Sequence, residues 1–264
     1  MGASPALVRT MAVDNLILLA LVGAVFALGG FVKGVIGLGL PTITMGVLGL
    51  ALPPAQAAAL LVVPSLLTNV WQVAGAGMAA LLRRLLPMLT GLCVGVAIGA
   101  GWLAAASARG SAWATAGLGA ALVVYALLGL LRWRPHVAPR HEPWLGPLVG
   151  VATGLVTAAT GVFVVPAVPY LQALGLARDE LVRALGLAFL VATVALAIAL
   201  GSHDALPLAM AGASLLAVVP ALAGMACGQV LRRRVAPEPF RRLFLAGLLA
   251  LGLYLVARAA LPSA

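Results

Sequence analysis

Gly29-Gly30-Phe31-Val32-Lys33-Gly34-Val35-Ile36-Gly37-Leu38-Gly39-Leu40-Pro41-Thr42 interrupts an apolar run that extends from Leu16 to Leu52. The stretch holds five glycines, one proline and Lys33, the only lysine in the chain. A charge at the centre of a lipid-embedded helix costs roughly 2.5–3.5 kcal/mol on insertion scales. Glycine and proline weaken a continuous helix, and the backbone groups they free must be buried in protein or line a wet cavity. A broken helix beside a cation therefore reads as a candidate anion site. A second break of the same kind runs from Gly154 to Pro166, through Thr157, Thr160 and Gly161.

Composition makes lipid the solvent. Of 264 residues, 64% are hydrophobic and 8% charged, and the mean hydropathy is +1.17. A soluble domain of this length cannot hide so much apolar surface. The net charge of +10 would suggest a nucleic-acid partner in a soluble protein. Here the basic residues sit in short connectors between apolar spans, where they report membrane orientation. Nucleic acid is excluded as a partner. Cys93 and Cys227 lie inside apolar spans without disulfide or metal spacing, so no metal or other cofactor is expected.

The chain divides into apolar spans over Leu16–Leu52, Pro54–Gly75, Leu85–Ala106, Ala112–Leu131, Trp144–Leu176, Leu181–Gly201, Leu206–Leu231 and Phe240–Leu261. Both halves share one plan, a long broken element followed by three ordinary spans. Gly30 and Gly37 align with Gly154 and Gly161 at a constant offset of 124. The apolar stretch after the mostly neutral tail, whose one side-chain cation is Arg9, runs past any signal-peptide cleavage site, as a first membrane span does.

Charge placement decides how often each broken element crosses. A single crossing would divide the arginines almost evenly between the two faces. A hairpin puts Arg83, Arg84, Arg132, Arg134, Arg140, Arg178, Arg183, Arg232, Arg233, Arg234, Arg241 and Arg242 on one face, leaving Arg9, Arg109 and Arg258 on the other. The positive-inside tendency selects the hairpin. The expected fold is an all-α polytopic membrane protein of two inverted repeats. Each repeat is a broken-helix hairpin plus three transmembrane helices, giving 8–10 membrane segments according to whether the hairpin legs cross fully. The expected layout is a tail over 1–13, a first repeat over 14–131, a cytoplasmic linker over 132–143 and a second repeat over 144–264, with both termini outside.

In such repeats the substrate site lies near the midplane where the breaks meet. Each returning leg would aim its N-terminal N–H groups and dipole at the interior, favouring negative charge. Pro41 and Pro166 stand where those legs begin, a position that tolerates proline. The substrate-binding candidates are Lys33, Gly34, Gly37, Gly39, Thr42, Thr68, Asn69, Gln72, Thr157, Thr160 and Gly161. Against that stand plainer readings: Lys33 snorkelling to the interface, threonines bonding one turn back, and Asn69 and Gln72 joining helices.

The six carboxylates, Asp14, Glu142, Asp179, Glu180, Asp204 and Glu238, all fall at span ends or in connectors. No acid is placed to relay protons at a span centre. Among the spans there is no nucleophile set, metal set or carboxylate pair, so an enzyme is not expected. The partners expected are a small anion and the lipid bilayer, and the sequence leaves homo-oligomerisation open.

The Gly30-to-Pro41 stretch, its partner from Gly154 to Pro166 and the four-plus-four layout resemble the TauE/SafE family of sulfite and organosulfonate exporters. The resemblance covers roughly Leu16 to Ala257. It implies export of a small sulfur-containing or carboxylate anion across a bacterial inner membrane. The second repeat departs from the family's glycine-rich run, with Val162-Phe163-Val164-Val165 following Gly161. The alternatives are an anion channel, which would use the same Lys33 and dipoles, and a non-transport assembly subunit, which would tolerate loss of Lys33.

Overall fold

The computed structural model describes residues 5–75, 77–108, 112–131, 136–206, 208–232, 234 and 237–260, with the side chains of 5–18, 106–108, 208–209 and 237 excepted. Arg109, Arg132, Arg134 and Arg233, part of the arginine division above, lie outside the described residues. The helices are α1 (Pro5–Ile36), α2 (Leu40–Leu48), α3 (Pro54–Val73), α4 (Met78–Ile98), α5 (Trp102–Ala108) and α6 (Ala112–Leu130). They continue, after a 3-10 turn at Pro139–His141, with α7 (Glu142–Thr160), α8 (Ala167–Ala173), α9 (Arg178–Gly201), α10 (Leu208–Arg232) and α11 (Pro237–Ala260).

The described residues are all-helical, and eight of the helical segments are long and apolar enough to cross a membrane. Each broken element resolves into one long leg and one short return: α1 then α2, and α7 then α8. The expected tail is helical from Pro5 onward, continuous with α1. α4 starts at Met78, seven residues before the apolar span, so Arg83 and Arg84 are helical.

Both breaks are made by glycine in the left-handed region, where a side chain is strained. Gly37 has φ 84° and Gly161 φ 72°. Beyond Gly37 the chain doubles back: Gly39 lies against Val32, and Leu40 lies against Gly29. The first element is thus a hairpin, with Pro41 in the opening turn of α2. Pro166 caps α8.

Small residues set the packing. α1 packs chiefly on α10, and α4 on α7. A Cβ on Gly30 would sit 2.1 Å from the Ala221 carbonyl oxygen, and one on Gly34 2.3 Å from that of Met225. Gly224 and Gly228 meet the Ala27 and Phe31 carbonyls equally closely, both at 2.1 Å. The other pair repeats this contact by contact: Gly150 on Met88, Gly154 on Leu92, Gly91 on Pro147 and Gly95 on Val151. Residue numbers rise together along both partners, so each pair runs in the same direction. Such backbone approach is what small-xxx-small spacing permits between membrane helices.

The packing register differs from the 124-residue offset read in the sequence. Gly150 and Gly154 pack as Gly30 and Gly34 do, 120 residues later, whereas the breaks at Gly37 and Gly161 are 124 apart. α7 therefore carries one more turn between its packing glycines and its break.

Side-chain contacts fix which helix ends coincide. Arg84 of α4 forms a bidentate pair with Glu142 at the start of α7, at 2.8 and 2.9 Å, and donates to the Leu174 carbonyl after α8. Arg183 of α9 lies against Gly75 beyond α3. Arg178, Arg232 and Arg241 share a cavity with the end of α1. At the opposite end Arg258 donates to the Leu50 carbonyl at 2.7 Å, and His203 lies against Gly101.

Candidate functional site

Four hydroxyl or amide residues give α3 a polar face. Ser65, Thr68, Asn69 and Gln72 follow helical spacing and are all buried, an i, i+3, i+4, i+7 stripe on one side of the helix. Pro64 lacks an N–H, so it leaves the Leu60 carbonyl without its helical donor. Ser214 of α10 supplies a hydroxyl to that carbonyl at 2.9 Å.

Lys33, in the last turn of α1, meets this stripe. It is 1% exposed, so it does not snorkel to an interface. Its Nζ donates to Thr68 Oγ1 at 3.0 Å and to Asn69 Oδ1. Asn69 Nδ2 passes the chain on to Ser65 Oγ at 3.2 Å. Thr193 of α9 donates to its own helix at Phe189, at 2.6 Å, so the Ser65 hydroxyl is the donor in the 3.0 Å Ser65–Thr193 contact. Thr68 donates to the Pro64 carbonyl at 2.7 Å, which leaves its oxygen free to accept from Lys33.

An ammonium carries three N–H donors and one full charge. Two donors are met by neutral oxygens, each such bond contributing about 1.5–3 kcal/mol. Among the described residues no carboxylate lies within ion-pair distance of Lys33. In the protonated lysine one donor and the positive charge are therefore left for an anion.

Gln72 closes the stripe at the α1 break. Its Nε2 donates to the Gly37 carbonyl at 2.7 Å and to the Val182 carbonyl at 2.8 Å. Gln72 Oε1 and Thr44 Oγ1 are buried without a hydrogen-bond partner among the described residues. Buried polar atoms of that kind call for a water, an ion or a ligand.

The sequence candidates separate into groups. Lys33, Thr68 and Asn69 are in direct contact, and Gln72 joins Gly37 to the same helix face. Gly39 begins α2 beside Val32, with the Thr42 hydroxyl on its carbonyl at 2.9 Å. Gly34 faces α10 as a packing residue. Thr157 and Thr160 donate one turn back, to Thr153 and Val156. Gly161 lies against Met45 and Ala58, near the other end of α3. Ala58 and Gln72 are about 20 Å apart at 1.5 Å per residue, so the second break does not join the lysine cluster.

Two members of the network, Ser65 and Thr193, are absent from the sequence candidates. Ser65 was legible from its spacing to Thr68, Asn69 and Gln72. Thr193 stands as a lone hydroxyl in the apolar run Leu185–Leu200, which gives no hint of what it faces.

No curated protein and no solved structure matches the chain. The family model described as sulfite exporter TauE/SafE matches residues 21–255. Its members are membrane transporters rather than enzymes, and the match takes in both breaks, Lys33 and the polar face of α3. This chain, a multi-pass membrane protein, belongs to the TauE/SafE sulfite exporter family.

Proposed function

We propose that this protein exports a small oxyanion, sulfite or a sulfonate, from the bacterial cytoplasm across the inner membrane, binding it at Lys33. The observation that carries the reading is a fully buried lysine amine held only by the neutral oxygens of Thr68 and Asn69. The charge it carries when protonated is costly in a low-dielectric interior unless something negative reaches it. An anion supplies that partner. Asn69 Nδ2, with one of its two hydrogens committed to Ser65, would orient one of the anion's remaining oxygens, and the Gly37–Gly39 break beside α2 would lend backbone groups.

The two halves are read as inverted repeats, 14–131 and 144–264, joined by a cytoplasmic linker over 132–143. The matched glycine pairs and the parallel pairing of α1 with α10 and of α4 with α7 support this. The arginine-rich end is assigned to the cytoplasm by the positive-inside tendency, which puts both termini outside. A site closed on both sides around Lys33 fits alternating access better than an open pore. An anion leaving an inside-negative cell gains about 2.3 kcal/mol per charge per 100 mV, so export needs no coupled ion.

The test is flux from proteoliposomes loaded with sulfite, sulfoacetate, taurine or acetate under an imposed potential. Saturable, potential-driven efflux of a sulfur oxyanion, lost in Lys33→Ala and reduced in Lys33→Arg, is expected. Efflux unchanged in Lys33→Ala would remove the lysine from the site. Absence of flux for every anion would overturn the export reading.

A further inference from the structure

At the arginine-rich end a cavity of about 220 Å³ is lined by Arg178, Arg232 and Arg241, together with Glu238, Gln172 and Tyr125. The three guanidiniums come from the start of α9, the end of α10 and the start of α11. Two carboxylates are near them. Asp179 lies 3.5 Å from Arg232 with its side chain 90% exposed, and Glu238 lies 4.0 Å from Arg241. Exposed pairs of this length contribute about 0–1 kcal/mol and leave a net positive cavity.

The opposite wall is apolar: Val35 and Ile36 from the last turn of α1, Leu38 from the break, and Val182 of α9. An apolar wall strengthens the attraction of a guanidinium for an anion. The wall also connects to the lysine. The Val182 carbonyl accepts from Gln72, and Gln72 lies one turn from Asn69, which holds Lys33. At about 30 Å³ per water, the cavity has room for about seven waters, or for a small oxyanion with part of its hydration shell. It has no room for a folded partner. At the other end of the molecule Arg258 is engaged with the Leu50 carbonyl.

We propose that this cavity is a separate capture site for a small oxyanion of the sulfite type, filled from the arginine-rich face before the anion passes Gln72 to reach Lys33. The proposal rests on the anion-export reading and adds a second binding station with a defined side. Three guanidiniums from three helix ends give it selectivity for negative charge, and the Gln72 bridge between Gly37 and Val182 separates it from the lysine. The phosphate of an anionic lipid carries the same chemistry, and the experiment distinguishes the two.

Sulfite binding to the purified full-length protein in neutral detergent is measured by calorimetry for wild type, Lys33→Gln, the single variants R178Q, R232Q and R241Q, and the triple variants with all three arginines replaced by glutamine or by lysine. Binding that survives in Lys33→Gln, weakens about fivefold for each arginine removed and is kept by the triple lysine variant is the expected result. Undiminished binding in the triple glutamine variant, or complete loss in Lys33→Gln, would overturn the capture site. Because this readout needs no flux, arginine-dependent binding without transport would sink the export reading alone.

In sided proteoliposomes the triple variant should raise the half-saturating sulfite concentration only from the arginine-rich face, with maximal flux retained. An equal rise from both faces would overturn the proposal. Vesicles of phosphatidylcholine, with and without phosphatidylglycerol, supply the lipid comparison. Wild-type half-saturation unaffected by phosphatidylglycerol supports a soluble occupant. A rise with phosphatidylglycerol that the triple variant lacks would assign the cavity to a lipid headgroup.

Discussion

The side-chain amide of Gln72 donates to the carbonyl of Gly37 at 2.7 Å, bridging the last turn of the chain's third helix to the point where its first helix breaks. The same nitrogen reaches the Val182 carbonyl on α9. Where the chain leaves α1 at Gly37, this carbonyl has lost its helical donor, and in lipid no water replaces it. Gln72 thus satisfies the break and ties both halves together beside the lysine.

Gln72→Ala removes that donor from two carbonyls. Leaving a buried acceptor unpaired costs about 1–3 kcal/mol, so thermal unfolding of the purified variant should occur at lower temperature. Gln72→Glu places an acceptor against two acceptors and should lose at least as much. A melting curve matching wild type for both variants would show that the bridge contributes nothing.

The glycine pairs predict a sharp contrast between positions of one residue type. A Cβ at Gly228 would come within 2.1 Å of the Phe31 carbonyl, whereas one at Gly23 or Gly247 meets nothing within 4 Å. Gly228→Ala and Gly95→Ala must push helices apart, at about 1–3 kcal/mol each. Gly23→Ala and Gly247→Ala should be neutral or stabilising by up to about 1 kcal/mol, from helix propensity alone. Equal stability across the four variants, read by thermal denaturation in detergent, would contradict the close backbone approach.

Much of this was legible in the sequence because lipid simplifies the rules. Apolar length gave the spans, and the lone lysine among glycines marked the first break. The arginine distribution gave the hairpins. The site was legible where spacing carried it: Lys33 sits four residues before Gly37, and Thr68, Asn69 and Gln72 share one helical face. Long-range pairing was not legible. Nothing local tells that Gly34 packs on Met225 or that Thr193 ends the hydrogen-bond chain from Lys33, since both depend on how α9 and α10 dock. The symmetry of the glycines misled as well, because the extra turn in α7 shifts packing against break.

Thr193→Val tests that chain from its far end. The substitution keeps shape and removes the acceptor of the Ser65 hydroxyl, which in turn accepts from Asn69. Asn69 then loses a fixed orientation toward Lys33. At about 0.5–1.5 kcal/mol for a hydrogen bond, half-saturation for sulfite should rise about two- to tenfold, while Ser65→Ala should give a similar shift. Unchanged half-saturation in both would confine the functional cluster to Lys33, Thr68 and Asn69.

Pro64 and Ser214 form a pair whose coupling has a predictable sign. Pro64 leaves the Leu60 carbonyl without a donor, and the Ser214 hydroxyl fills the vacancy at 2.9 Å. Ser214→Ala alone should cost about 1–3 kcal/mol, the penalty of an unpaired buried acceptor. In a Pro64→Ala background the restored N–H of residue 64 can bond to Leu60, so the same serine substitution should cost much less. A double-mutant cycle by thermal denaturation should therefore show a coupling of about 1 kcal/mol or more, within the range for contacting residues. Additive effects would mean that Ser214 holds α10 against α3 by packing, and that the proline's lost hydrogen bond is made good in another way.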